Sequence, residues 1–291
     1  MVWLSKRRYI LFMLLPTLLI YISYIILPVI ISFYYSLTEY TGIGTAEFIG
    51  ISNFSTLMKD SLFWISLRNT IVVLLVSIVL LLPGAFLLAL LLNAKLKGGN
   101  AVKALNFAPS IVAPILVGLI WVFILDPQMG LVNVLLRQVN LENYALQWIG
   151  GKTLTPYSVG VVFTWQMIGF LATIFLAGLK MIPKGVYESS AIDGANKWQQ
   201  LFSITIPMLN ETIKINVILI ITGVFKIFET VFLLTNGGPN HLSEVMVTYM
   251  YNVTFTSGEY GYGMAIAVIT FLLTMMFSLA YMSFSRKNIE E

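Results

Sequence analysis

The 291 residues are 58% hydrophobic and 10% charged, with 17 basic and 13 acidic side chains, a formal net charge of +4. A soluble domain ordinarily carries about 25% charged residues, so this composition belongs to a bilayer protein. The absence of cysteine excludes disulfides, thiol nucleophiles and cysteine metal sites.

A hydrocarbon core about 30 Å thick takes about 20 apolar residues per helix. Six stretches meet or approach that length: 9–33, 70–92, 105–125, 156–179, 215–235 and 261–285. Strands of an outer-membrane barrel would be about ten residues long and alternating, so the expected fold class is all-α, a polytopic membrane helical bundle with six transmembrane helices. Lys6, Arg7 and Arg8 before the first run imitate a signal peptide, but the run is too long for an h-region and no A-x-A-like site follows it, which favours an uncleaved first span.

With the N-terminus in the cytoplasm, six alternating spans place twelve basic residues inside: Lys6, Arg7, Arg8, Lys95, Lys97, Lys103, Lys180, Lys184, Lys197, Lys214, Arg286 and Lys287. Four fall outside, Lys59, Arg68, Arg137 and Lys152, and Lys226 lies within a span. This is the positive-inside bias, and it puts both termini in the cytoplasm. The basic isoelectric point then reflects topology, and no nucleic-acid partner is needed to explain it.

After the third span, residues 130–140 read as an external surface helix, with Leu131, Val134 and Leu135 on one side and Arg137 and Gln138 opposite. The Gly150-Gly151-Lys152-Thr153 stretch imitates a phosphate loop, but GxxxxGK[ST] requires glycine at 146, where this chain has Leu146. No cytoplasmic stretch is long enough for a nucleotide-binding domain. His241 is the single histidine, read as a solvated loop residue, and no His/Asp/Glu cluster has metal-ligand spacing.

Residues 187–207 form a polar cytoplasmic interruption between spans four and five. Pro183 can begin a helix, Asp193-Gly194 marks a turn, and Trp198, Leu201, Phe202 and Thr205 recur at i, i+3, i+4 and i+7. Two short helices joined at a glycine are expected, with the apolar face against the membrane helices. Such a segment either lies on lipid or docks a soluble partner. Small residues Ala191, Gly194 and Ala195 would admit that partner closely, and Glu188 and Asp193 would accept its hydrogen bonds.

In the fifth span, Lys226 and Glu229 stand at i, i+3 and are expected to share a helix face. Intramembrane charges usually face a bundle interior or a wet cavity. The pair is therefore either part of a pathway or a structural pair nearer the outer end. Asn236-Gly237-Gly238-Pro239 then makes a sharp turn.

Three motifs carry a family resemblance. Tyr187, Glu188, Ser189, Ser190, Ala191, Ile192, Asp193, Gly194 and Ala195, followed by Trp198, Phe202, Ile204 and Pro207, resemble the EAA loop of carbohydrate-type ABC importer permeases, YEAAxIDGA with a W…F…I…P tail. The chain departs from that pattern at Ser189 and Ser190, where alanines are usual, and at Ile206, where leucine is usual. The stretch FETVFLLTNGGPN, 228–240, is similar to the FDxxYxLTxGGP signature with Glu229 for the usual Asp, and YGYGMAIAVITFLL resembles the GxGxAxAxxxxLFL start of the last span. "GLVNVLL" after the third span is similar to the family's G-L-x-N-x-x-L.

The resemblance implies a type I ABC importer permease fold. Residues 1–68 would form an N-terminal helix and external connection, 69–285 a five-helix permease core with the coupling loop at 183–207, and 286–291 a cytoplasmic tail. It implies a sugar or oligosaccharide importer working by alternating access, with no catalytic residue, cofactor or metal in this chain. Its partners would be a second permease subunit, two cytoplasmic ATP-binding subunits carrying Mg-ATP, and an extracytoplasmic solute-binding protein that meets Asn236, Gly237, Gly238 and Pro239, all at the cell membrane of a prokaryote. Lys226, Glu229, Trp165, Gln166, Trp121 and Tyr249 are the pathway candidates, since sugars stack on rings and bond to amides. The rivals are an importer of glycerol phosphate or another polyol with the same architecture, and an ion-coupled secondary carrier.

Overall fold

A computed structural model describes residues 7–94, 99–151 and 153–290. Lys6, Lys95, Lys97 and Lys152 of the charge count lie outside the described residues, as do the side chains of Arg7, Arg8, Arg286 and Lys287. The chain divides into two compact units, one of Met1–Ser61 with Met250–Leu272 and one of Leu62–Tyr249 with Leu273–Glu291. Among the described residues, four helices are long and apolar enough to cross a membrane, or up to six when two bent pairs are each counted as one span.

In the first unit, the candidate span Leu11–Tyr35 buries none of its most apolar window inside the chain. Beyond it a short antiparallel hairpin pairs Thr38–Glu39 with Glu47–Phe48, Thr38 opposite Phe48. Asn53 ties the following helix, Ser52–Lys59, to this hairpin by donating from Nδ2 to the carbonyls of Ser36 (3.0 Å) and Thr38 (2.9 Å). The Tyr262 hydroxyl donates to Asp60 Oδ2 at 2.7 Å, and Gly261 N–H donates to the Tyr40 carbonyl at 2.9 Å.

The second unit is built on two long helices, Ser61–Asn93 and Thr155–Met181. Its buried core includes Val73, Leu81, Leu171, Phe175, Ile220 and Phe225. Small residues allow close approach, as membrane helices require when no hydrophobic driving force separates them from lipid. A Cβ on Gly160 would come within 2.7 Å of Val76 Cγ1, and one on Gly118 within 2.9 Å of Leu233 Cβ.

Two expected spans are not single rods. The third breaks between Gly99–Ile111 and Pro114–Leu125, with a bend of 94°. Pro114 disfavours helical geometry at the preceding residue, and Ala113 accordingly has ψ 132°. The fifth ends at Val224 in the helix Asn210–Val224 and resumes as Glu229–Thr235. No proline or glycine stands between Phe225 and Phe228, so packing sets this break. Val224, Phe225 and Ile227 are all buried, and Lys226 between them is left exposed. Lys226 and Glu229 therefore do not share a continuous helix face.

The expected helix is present as Leu131–Gln138, with Leu131 and Leu135 exposed and Asn133 buried. Asn133 Nδ2 donates to the carbonyls of Pro127 and Leu146, both at 2.9 Å, and its Oδ1 accepts from Trp148 Nε1 at 2.7 Å. Just before it, backbone N–H groups of Met129 and Gln128 hold the Asp126 carboxyl below the usual carboxylate range.

The tightest helix contact gives a test. A Cβ on Gly169 would run into the Asn106 carbonyl. Gly169→Ala should lower stability by about 1–3 kcal/mol, read as a lower midpoint in thermal unfolding of the detergent-purified chain.

Candidate functional site

Both helix breaks of the second unit open onto one cavity of about 330 Å³. Ser110 to Pro114 line it from the first break, Lys226, Ile227, Glu229 and Thr230 from the second, and Phe163, Gln166 and Met167 from the helix Thr155–Met181. Unwound backbone at membrane depth is tolerated where it is buried in protein or lines a wet cavity. Gln166 Nε2 donates to the Val112 carbonyl at 3.2 Å, meeting part of the need that the first break creates. Lys226 and Glu229 are both exposed on the cavity rim, and among the described residues no ion pair joins them. The cavity thus offers an ammonium, a carboxylate, an amide and unwound backbone, a donor and acceptor set that suits a hydroxyl-rich solute.

Of the other pathway candidates, Trp121 and Trp165 pair edge-to-face with centroids 5.6 Å apart, and Tyr249 is buried; none of the three lines the cavity.

The loop after Thr235 is held in a specific shape. Asn236, Gly237, Asn240 and His241 have φ of 48°, 77°, 50° and 62°, and the Gly238–Pro239 peptide is cis. Thr235 Oγ1 and Ser243 Oγ share a hydrogen bond at 2.7 Å, and Ser243 Oγ donates to the Gly238 carbonyl at 2.6 Å. At Gly237 the positive φ and the neighbouring carboxyl both exclude a side chain, since a Cβ would lie 2.5 Å from Glu244 Oε1. Three residues that hold this loop are invisible to motif reading. Asn69 Nδ2 donates to the carbonyls of Leu242 (2.8 Å) and Glu244 (2.9 Å), and Thr70 Oγ1 accepts from Met246 N–H at 3.1 Å. Glu244 is wholly buried, its Oε1 3.0 Å from His241 Nδ1. His241 itself is exposed, as a solvated loop residue would be, with one ring nitrogen turned to this carboxyl. The available signal was a polar Asn-Thr pair near the start of a helix that is otherwise almost entirely apolar.

Residues 183–207 form two short helices as expected, Lys184–Ile192 and one beginning at Lys197–Gln200, which continues through a π-helical turn at Leu201–Thr205 into Ile206–Met208. Between them Gly194 has φ +83° with nothing within 4 Å of its missing side chain. Asn196 caps the second helix, accepting from Gln199 N–H at 2.9 Å, while Gln199 Oε1 accepts from Asn196 N–H at 2.7 Å.

The orientation of the second helix corrects the expectation. Trp198 and Phe202 stack at 6.1 Å and are 71% and 61% exposed, whereas Gln200 and Thr205 are buried. With Glu188, Ser189, Ala191, Asp193, Gly194 and Pro207 also exposed, the segment presents a mixed apolar and acidic surface. Tyr187, Ser190 and Ala195 are half-buried beneath it.

The family model described as "Binding-protein-dependent transport system inner membrane component" matches residues 82–289. Probable ABC transporter permease protein YurN of Bacillus subtilis (strain 168) is 31% identical over 290 residues, 99% of each chain. Trehalose/maltose transport system permease protein MalF of Thermococcus litoralis is 30% identical over 275 residues, 94% of this chain and 92% of its own. A crystal structure of a bacterial ABC transporter that imports the acidic polysaccharide alginate aligns with TM-score 0.83 at 25% identity, covering 97% of this chain and 96% of that one.

Asn69→Ala removes the donor to two loop carbonyls. It should cost about 1–3 kcal/mol and speed hydrogen exchange across residues 237–245, with little change in the segment 184–208.

Proposed function

This chain belongs to the binding-protein-dependent transport system inner membrane component family, and on that premise we propose that the solute it passes is a sugar or oligosaccharide. It is a multi-pass membrane permease subunit of an importer rather than an enzyme. The observation that carries the substrate reading is the cavity shared by the two helix breaks, where Lys226, Glu229 and Gln166 converge without an ion pair between the charges. An ammonium donates, a carboxylate accepts and a sugar hydroxyl does both, so each charge can be used by a neutral polyol. The trehalose/maltose system of a relative supports the same class.

In this reading the chain forms half of the pathway with a second permease subunit. Two cytoplasmic subunits bind Mg-ATP, and residues 183–207 dock on one of them through Glu188, Ala191, Asp193, Gly194, Trp198 and Phe202. The loop Asn236 to Pro239 meets the solute-binding protein on the opposite side, with both termini in the cytoplasm. ATP and loaded binding protein favour an outward-facing cavity, and hydrolysis returns it inward; each must bind the two states differently to drive that exchange.

A phosphate ester is the less suitable cargo. Lys226 would favour it, but Glu229 on the same rim would oppose it.

Two experiments test this on the reconstituted transporter. Lys226→Met should reduce uptake about 10- to 100-fold, the worth of a hydrogen bond to a charged group, and unchanged uptake would remove the cavity from the pathway. Gly194→Trp should sharply reduce recovery of the ATP-binding subunits with the permease in detergent; normal recovery and uptake would show that the segment is not their docking surface.

A further inference from the structure

The segment 184–208 contains a cross-brace centred on Gln200. Most side chains around it are exposed, yet Gln200 is only 6% exposed. Its Nε2 donates to Ser190 Oγ at 3.0 Å and to the Tyr187 carbonyl at 3.3 Å, both on the preceding helix. Ser190 Oγ in turn donates to the Tyr187 carbonyl at 2.9 Å. On the far side, Tyr187 Oη and Thr205 Oγ1 lie 3.0 Å apart, and Thr205 Oγ1 donates to the Gln200 carbonyl at 3.1 Å. The protons close without conflict: Gln200 uses both amide hydrogens, Ser190 donates once and accepts once, and Tyr187 donates to Thr205. The π-helical turn Leu201–Thr205 brings Thr205 within reach of the Gln200 carbonyl five residues back.

Besides this ring, the two helices are joined by the chain itself at 193–196, where Gly194 at φ +83° stands in open space. We propose that Gln200 is a positioning residue for energy coupling: with Ser190 and Tyr187 it makes the two helices move as one body. A displacement of the exposed surface then reaches Pro207 and the helix Asn210–Val224 instead of being absorbed at the glycine. This rests on the reading of the segment as the ATPase-docking element. Ser190 stands where alanine is usual in the resembled motif, and alanine offers no acceptor to Gln200, so the brace is a feature of this chain's own residues.

The test uses the complete transporter in proteoliposomes, with its own solute-binding protein and maltotriose as the probe solute, reading ATP hydrolysed per probe imported. Gln200→Leu should raise that ratio about tenfold, one hydrogen bond's worth, while the ATP-binding subunits still copurify. Ser190→Ala should raise it less, Ser190→Thr should restore the wild-type ratio, and Ser190→Ala added to Gln200→Leu should add little, since both remove one network. An unchanged ratio in Gln200→Leu, or full additivity of the two changes, overturns the brace. Should Gln200→Leu fail to assemble, the Ser190→Ala and Ser190→Thr pair decides: equal ratios in the two overturn it. Failure of the docking reading shows separately, as a wild-type chain that retains no ATP-binding subunit.

Discussion

The structure turns on one constraint: inside hydrocarbon, every backbone N–H and C=O needs a partner, so a chain can leave the helix only where protein or water supplies one. This chain does so twice in its second unit, at Val112–Ala113 and across residues 225–228, and both departures line the same cavity. Gln166 meets the Val112 carbonyl directly. At the second break Lys226 and Ile227 N–H donate to the carbonyls of Gly223 and Val224 three residues back, tightening the last turn. What remains unwound faces open space, and there the chain places its ammonium, carboxylate and amide. Broken backbone and these three polar side chains thus share the same volume.

The exposed segment 184–208 and the cavity are joined by one piece of secondary structure. The segment ending at Met208 turns by 65° into the helix Asn210–Val224, and Lys226 follows two residues beyond its far end. Fifteen residues of helix span about 22 Å, a lever between the exposed segment and the cavity rim. Thr212 and Leu209 pack where Gly178 has no side chain, and Gly223 leaves room for the Phe163 ring, so the lever bears on the helix Thr155–Met181 at both ends.

Much of this was legible beforehand because the signals were strong. Long charge-free runs marked the helical bundle, and the Pro183 and Asp193-Gly194 signals marked the two short helices joined at Gly194. The third-span break could have been read from Pro109 and Pro114. The break at 225–228 could not, because no residue there forbids helix and local propensity gives no sign of it. The true face of the short helix beginning at Lys197 was hidden as well. Asn133 and Gln200 are buried with partners elsewhere in the chain meeting their amides, while Trp198 and Phe202 are exposed, an inversion of the expected apolar face that a hydrophobic period cannot reveal. Glu244 is the sharpest case: a charged residue in a polar loop, wholly buried under Gly237.

Alternation of the cavity between the two sides of the membrane is the central claim, and the absence of cysteine makes it directly measurable. Ser110→Cys places a single thiol at the first break on the cavity wall. In the assembled transporter, a membrane-impermeant thiol reagent should label it from the cytoplasmic side without nucleotide, and from the opposite side when ATP and loaded binding protein are trapped. Labelling from the same side in both states, or from neither, would contradict alternating access through this cavity.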